Sequence, residues 1–226
     1  SSSAYFALLT QVEGRTLKRQ RSYPVTSMGF VIDACDKSLD TWISQAEFWA
    51  PTRRLLHFMR VGLLFVDLDT YKLPEFAGLS AEAQLEKLLR LCEAQGLPPP
   101  SLVIFSGRGL QAKWLLDSGL PARALPRWSL VQHEIGRRLA GLGADANALD
   151  ASRVLRLVQT VNSRSGEVVR VVHLTGTRDG KFSYNTMVFL QGFCVLKPTW
   201  CSYDKVNVVH LDSRQFIARL PDRDKL

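Results

Sequence analysis

Residues 61–69, VGLLFVDLD, most narrow what this chain can fold into. A short apolar run closed by acids predicts a buried strand that delivers carboxylates at its end. Side chains alternate along a strand, so Asp67 and Asp69 project from one face, roughly 7 Å apart at Cα. Two carboxylates so placed suit a divalent cation held by hard oxygen ligands. The plain alternative is a solvated strand end where acids meet water.

The neighbouring segments set the fold class. Residues 80–95 read as a helix, with Ser80 as N-cap and Leu85, Leu88, Leu89 and Cys92 at helical spacing. Gly96 and the prolines from Pro98 stop it. Strands follow at 102–107 and 110–116, joined by a glycine turn. A second helix over 126–142 presents Trp128, Val131, Ile135, Leu139 and Leu142 on one face, with Pro126 in its first turn and Gly143 at its end. VVRVVHL (168–174) predicts another strand. This order implies an α+β fold with a mixed or antiparallel sheet flanked by helices. Residues 42–49, WISQAEFW, read as helical, and short strands are expected at 186–190, 193–197 and 206–211. We expect one domain over 1–226, with a core at about 61–174 on which 1–60 and 175–226 pack.

Composition excludes several classes. At 226 residues and 46% hydrophobic, the chain can bury a full core. No run approaches the ~20 apolar residues of a membrane span, and the start lacks the order of a secretory signal. Cys35, Cys92, Cys194 and Cys201 form no CxxC pair, which reads as reduced thiols in a cytoplasmic protein. Cys194, Cys201 and His210 lack a fourth zinc ligand. None of the four histidines pairs obviously with a serine or cysteine nucleophile, which argues against triad hydrolysis. The net charge of +8 favours a polyanionic partner, and LKRQR (17–21), RR (53–54) and RR (137–138) suggest a folded basic surface. Trp42 and Trp49 are candidates for stacking on bases or for the core, and Trp128 for the core.

Two further segments carry chemistry. Ser106-Gly-Arg-Gly-Leu-Gln111 sits in a tight turn between strands, where glycines admit a ligand to the backbone and Arg108 supplies a permanent cation for phosphate. Gln111 and Lys113 share one face of the next strand. A good hairpin turn would explain the same glycines. In Leu149-Asp150-Ala-Ser-Arg153-Val-Leu-Arg156, followed by Asn162 and Arg164, an acid beside arginines could join a metal ligand to a triphosphate clamp. Asp150 as a simple helix cap is the alternative.

Together these segments resemble the three motifs of the archaeo-eukaryotic primase (primase-polymerase) superfamily, in the same order, and are similar to plasmid or mobile-element replication primases. The paired acids look like Asp67 and Asp69, and the small-residue turn like Ser106–Gln111. The third motif looks like Leu149-Asp150 with Arg153, Arg156 and Asn162 after it. The resemblance implies a core related to the RNA-recognition-motif fold and two-metal nucleotidyl transfer. Asp67, Asp69 and Asp150 would hold Mg²⁺ or Mn²⁺. Ser106, Arg108, Gly109, Gln111, Lys113, Arg153, Arg156 and Asn162 would bind the nucleoside triphosphate. Single-stranded DNA would be the template, with a replicative helicase as a candidate partner. Gln111 stands where the family usually has histidine, and glutamine cannot carry a positive charge. A non-catalytic initiator binding single-stranded origin DNA and a metal-dependent nuclease remain rival readings.

Overall fold

The computed structural model describes residues 4–11 and 17–175. Its strands are β1 (Tyr5–Gln11), β2 (Lys18–Pro24), β3 (Thr41–Ser44), β4 (Glu47–Phe48), β5 (Phe58–Leu68), β6 (Leu102–Phe105), β7 (Leu110–Pro121), β8 (Val154–Arg156) and β9 (Arg170–Leu174). The helices are α1 (Met28–Ala34), α2 (Ala81–Ala94) and α3 (Leu125–Arg138). The strands join one sheet in the order β8-β3-β1-β4-β5-β7-β6-β9, with β2 branching from β1. Every strand pairing among the described residues is antiparallel. The expected α+β class with an antiparallel sheet is what the chain adopts. The short strands expected at 186–190, 193–197 and 206–211 lie outside the described residues, as do Cys194, Cys201 and His210.

β5 is the centre of the sheet, and every residue from Val61 through Val66 is buried. β7 lies along one edge of β5 as far as Leu68↔Leu110. On the other edge β4 reaches only Phe58 and Arg60. The backbone of β5 beyond that point would be left unpaired in an apolar interior, which is costly. Side chains and loop backbone fill the place of the missing strand. Trp128 Nε1 donates to Leu63 O at 3.0 Å, and the Gln132 amide brackets Phe65, accepting from its N at 3.1 Å and donating to its O at 2.5 Å. Asp145 N then donates to Asp67 O, and Asp69 N to Gly143 O, both at 2.9 Å. This is why α3 lies against β5, and why the loop after it is pinned beside the acids.

The two longer helices form where periodicity places them. Ser80 Oγ accepts from Ala83 N at 3.2 Å to cap α2, which buries Ala81, Gln84, Leu88 and Cys92. α3 buries Trp128, Val131 and Ile135, then tightens into a 3-10 turn ended by Gly143 at φ 73°. A second, smaller core joins α1 to the β1–β3 branch through Phe6, Leu8, Met28, Ile32 and Ile43.

One segment differs from expectation. Residues 42–49 are not helical but form β3 and β4. Pairing decides it: Thr41, Trp42 and Ile43 pair with β1 on one side, and Trp42, Ile43 and Ser44 with β8 on the other. Thr41, Ile43 and Ser44 are buried between those neighbours. Non-local hydrogen bonds override a weak local helical pattern.

Candidate active site

A cleft of about 1080 Å³ opens between the β5–β7 half of the sheet and the β1–β3–β8 branch. β5 brings Asp67 and Asp69 to its floor. The β6–β7 turn contributes Ser106, Arg108 and Gln111, and β8 with its following loop contributes Arg156, Asn162, Ser163 and Arg164. Lys18, Asp40, Trp42, Tyr71 and Asp145 also line the cleft, with Gln11 and Ser38.

The turn is built to press against the acids. Ser106 N donates to Gly109 O at 2.8 Å, and Ser106 Oγ accepts from Gly109 N at 3.2 Å. A Cβ on Gly109 would collide with the Leu68 carbonyl oxygen, so no other residue fits without moving the backbone. Gly107 adopts φ 92°, and its missing Cβ leaves room for Asn162, whose Nδ2 donates to Ser106 O at 2.8 Å. The Arg108 guanidinium lies 3.6 Å above the centre of the Tyr71 ring. The turn thus holds a cation at the rim beside the carboxylates.

Asp67 is the most perturbed acid of the site. Burial, reinforced by the Asp69 and Asp145 charges, pushes its carboxyl up to about 6. Gln111 sits directly across the β5–β7 pair and donates from Nε2 to Asp67 Oδ1 at 3.4 Å. That bond favours the ionised form, against the larger effect of burial. The other amide atom, Gln111 Oε1, is buried without a hydrogen-bond partner among the described residues. Lys113 lies two residues further along β7, wholly buried beneath the cleft. Burial pushes its amine down to about 7, while the Asp67 charge pulls the other way. Asp69, half-buried at the cleft, pairs with Lys72 at 2.5 Å. Among the described residues no three His, Cys, Asp or Glu side chains stand close enough to enclose a metal ion.

The opposite wall is cationic. Lys18 lies 4.0 Å and Arg156 4.7 Å from the centre of the Trp42 ring. Asp40, 5% exposed, anchors this wall: Arg156 and the Ser163 hydroxyl both donate to it. Burial would raise the Asp40 carboxyl, but these donors outweigh it and hold it below the ordinary carboxylate range. Burial and the Arg156 and Arg164 charges together lower the Lys18 amine. One acid therefore faces three cations, which leaves net positive potential for an anionic ligand.

The structure separates the residues singled out from sequence. Asp67, Asp69, Ser106, Arg108, Gln111, Arg156 and Asn162 line the cleft, Gly109 forms its turn, and Lys113 lies beneath it. Asp150 and Arg153 do not line it. They pair with each other at 2.7 Å, and Asp150 Oδ1 also accepts from Ser152 N at 3.0 Å. The acid beside Asp67 is Asp145, five residues earlier, whose carboxylate accepts from Asn147 N at 2.9 Å. Its signal in the sequence is Gly143, a helix stop followed closely by an acid. The contributions of Asp40 and Tyr71 come from pairings that sequence spacing does not reveal.

By its architecture the chain has the archaeo-eukaryotic primase fold. It is similar to the AEP domain of the primase-polymerase of cyanophage S-2L, with a TM-score of 0.53 and 21% identity over 83% of this chain and 88% of that one. A weaker likeness, TM-score 0.45 and 16% identity, covers 81% of this chain and 83% of the catalytic domain of primase RepB' in complex with initiator DNA. In sequence the chain is 32% identical over 203 residues to a replication protein of Clostridium perfringens. That match takes in 86% of this chain but 46% of the relative, so the chain spans about half the relative's length. No family model matches the chain.

Proposed function

We propose that this chain is the catalytic domain of a replication primase of plasmid or mobile-element type, joining nucleotides on a single-stranded DNA template. The observation that carries this reading is the polarity of one cleft, with Asp67, Asp69 and Asp145 on one wall and Lys18, Arg156 and Arg164 on the other. A nucleoside triphosphate needs both poles, because its phosphates must be neutralised while a hydroxyl is activated beside them.

The carboxylates suit a divalent cation. Asp67 is raised partly because Asp69 and Asp145 repel its charge, and a cation of hard-oxygen preference relieves that repulsion. As they stand, Asp67, Asp69 and Asp145 do not come close enough together to enclose it, so they would hold it only once Asp69 leaves Lys72 and the three carboxylates draw together; we assign Asp145 the role that spacing gives to Asp150. When bound, Mg²⁺ or Mn²⁺ supplies Lewis-acid stabilisation of the phosphates and a more acidic hydroxyl. The chain's own residues do the rest. Arg108, Arg156, Arg164 and Lys18 bind phosphate oxygens, Asp40 keeps Arg156 in place, and Asn162 fixes the turn that carries Arg108. Gln111 steadies Asp67, and Lys113, whose amine burial pushes down to about 7, gives the floor a counter-charge from below only while it is protonated.

The test is primer synthesis on single-stranded DNA with Mn²⁺ or Mg²⁺, comparing the parent with Asp67→Ala. Template-dependent products from the parent alone support the reading. A non-catalytic initiator of the same fold has one specific observation in its favour, the neutral Gln111 lying on Asp67. It requires single-strand binding without products. Cleavage of labelled DNA in the absence of nucleotides would instead mark a nuclease.

A further inference from the structure

The basic run Lys18–Arg21 lies in β2, the outer strand of its branch, and the cleft uses Lys18 alone of it. Strand alternation puts Arg19, Arg21 and Tyr23 on the face opposite Lys18. α1 lies over that face, burying Met28 and Ile32 while leaving Phe30 78% exposed. Between them is a second groove of about 490 Å³, lined by Arg19, Arg21, Tyr23 and Phe30, which shares Gln11 and Leu39 with the cleft. β2 is therefore a basic ridge with an opening on each side, and the openings meet at one end.

We propose that this groove is a second binding site for single-stranded polynucleotide, receiving the strand as it passes from the cleft over the β2 edge. The chemistry matches at each point. Arg19 and Arg21 are exposed and two residues apart on one face, which suits successive phosphates of a backbone. Phe30 presents an uncovered ring beside them, and an aromatic face next to cations stacks bases without regard to sequence. One carboxylate, Asp36, also lines the groove, and its Oδ1 accepts from Ser38 N at 2.9 Å. The two guanidinium groups outnumber it. This site rests on reading the cleft as template-dependent, and the assay below separates the two.

The experiment is anisotropy of a labelled oligothymidylate across a salt series, with primer yield measured alongside. Phe30→Ala is expected to weaken single-strand affinity roughly 5- to 150-fold, the range of one missing base stack, and Phe30→Trp to retain it. Arg19→Ala with Arg21→Ala is expected to reduce the log–log salt slope by about 1.4, or about 0.7 for each phosphate no longer neutralised. Lys87→Ala with Arg90→Ala on α2 removes the same charge far from the groove and is expected to leave the slope unchanged. All these side chains are exposed, and thermal unfolding verifies that the variants fold. Groove variants that match a DNA-binding parent overturn the proposal and leave the primase reading standing; a groove serving an acidic protein segment gives that same result. Groove variants that lose affinity in a parent that binds but makes no primers support the site and remove the primase reading. A parent with no single-strand affinity overturns both.

Discussion

Gln111 and Asp67 face each other across the β5–β7 pair, and the amide donates to the carboxylate at 3.4 Å. The residue that departs from the primase motif this chain resembles therefore acts on the most perturbed acid of the cleft. Its bond stabilises the ionised form of a carboxyl that burial pushes up to about 6. Gln111→Ala removes that help and raises the carboxyl further. Its expected effect is an acid limb of primer synthesis displaced to higher pH, with single-strand affinity unchanged. Gln111→His, which can donate from the same position and carry charge, should hold the limb at or below the parent's pH. Coincident pH–rate profiles for all three proteins would contradict this role.

Metal binding should follow the same acid. A cation ligand must be ionised, so protons compete with the metal. Asp67 takes up its proton as pH falls through about 6. Mn²⁺ affinity is therefore expected to be level well above pH 6 and to fall below it, approaching tenfold per unit for one competing proton. Saturating Mn²⁺ should also raise the thermal midpoint at pH 7.5, since a ligand specific to the folded state stabilises it. Asp67→Asn should remove both effects. Titration calorimetry at several pH values measures the first, and a melting series with and without chelator the second.

The third carboxylate separates two residues that the sequence does not. Asp145 lines the cleft beside Asp67, whereas Asp150 is paired with Arg153 outside it. Asp145→Asn is expected to reduce primer synthesis to background with little change in stability. Asp150→Ala should keep activity and lose about 1 kcal/mol of stability, the order of the turn hydrogen bond from Ser152 N that it removes together with the Arg153 pair. The reverse pattern would return the ligand role to Asp150.

The part of the molecule legible in the sequence is the part governed by local pattern. The β5 strand, the capped α2, the apolar face of α3 and the turn at Ser106–Gln111 follow from alternation, period, capping and glycine. Asp67 follows from the same alternation, whereas Asp69 lies one residue past the strand, where the chain already turns into a 3-10 helix. The third acid does not follow from it, because Asp145 is placed by a backbone bond to Asp67 that replaces a missing strand. Residues 42–49 depart from their local helical pattern because β1 and β8 impose strand geometry from outside the segment. Asp40 gives no signal for a similar reason. Its partners Arg156 and Ser163 lie more than a hundred residues away.

Tyr71 supports Arg108 from below, 3.6 Å from the guanidinium to the ring centre. Exposed cation–π pairs contribute about 0.5–1 kcal/mol. Tyr71→Leu should release the guanidinium and raise the nucleotide Kd roughly two- to fivefold, while Tyr71→Phe preserves the ring face and should match the parent. Equal Kd values for the Leu and Phe variants would show that the stack does not orient Arg108.

Gly109 links the turn to β5, the strand that leads to the acids. Any Cβ there would collide with the Leu68 carbonyl oxygen, a backbone atom in a strand buried at the centre of the sheet and unable to step aside. The turn must move instead, and it carries Arg108 away from the acids and strains the Asn162 bond to Ser106. Gly109→Ala is therefore expected to lose about 1–3 kcal/mol, the usual cost of overpacking, and to lower primer yield beyond what the reduced stability explains. Gly141→Ala is the control, since nothing lies within 4 Å of the Cβ it would gain. It should melt and polymerise like the parent. Denaturant unfolding and primer yield, measured on both variants well below their midpoints, separate the two effects. A Gly109→Ala protein with parental stability and parental yield would mean that the turn can withdraw from Leu68 without consequence, and that its close approach does not set the position of Arg108.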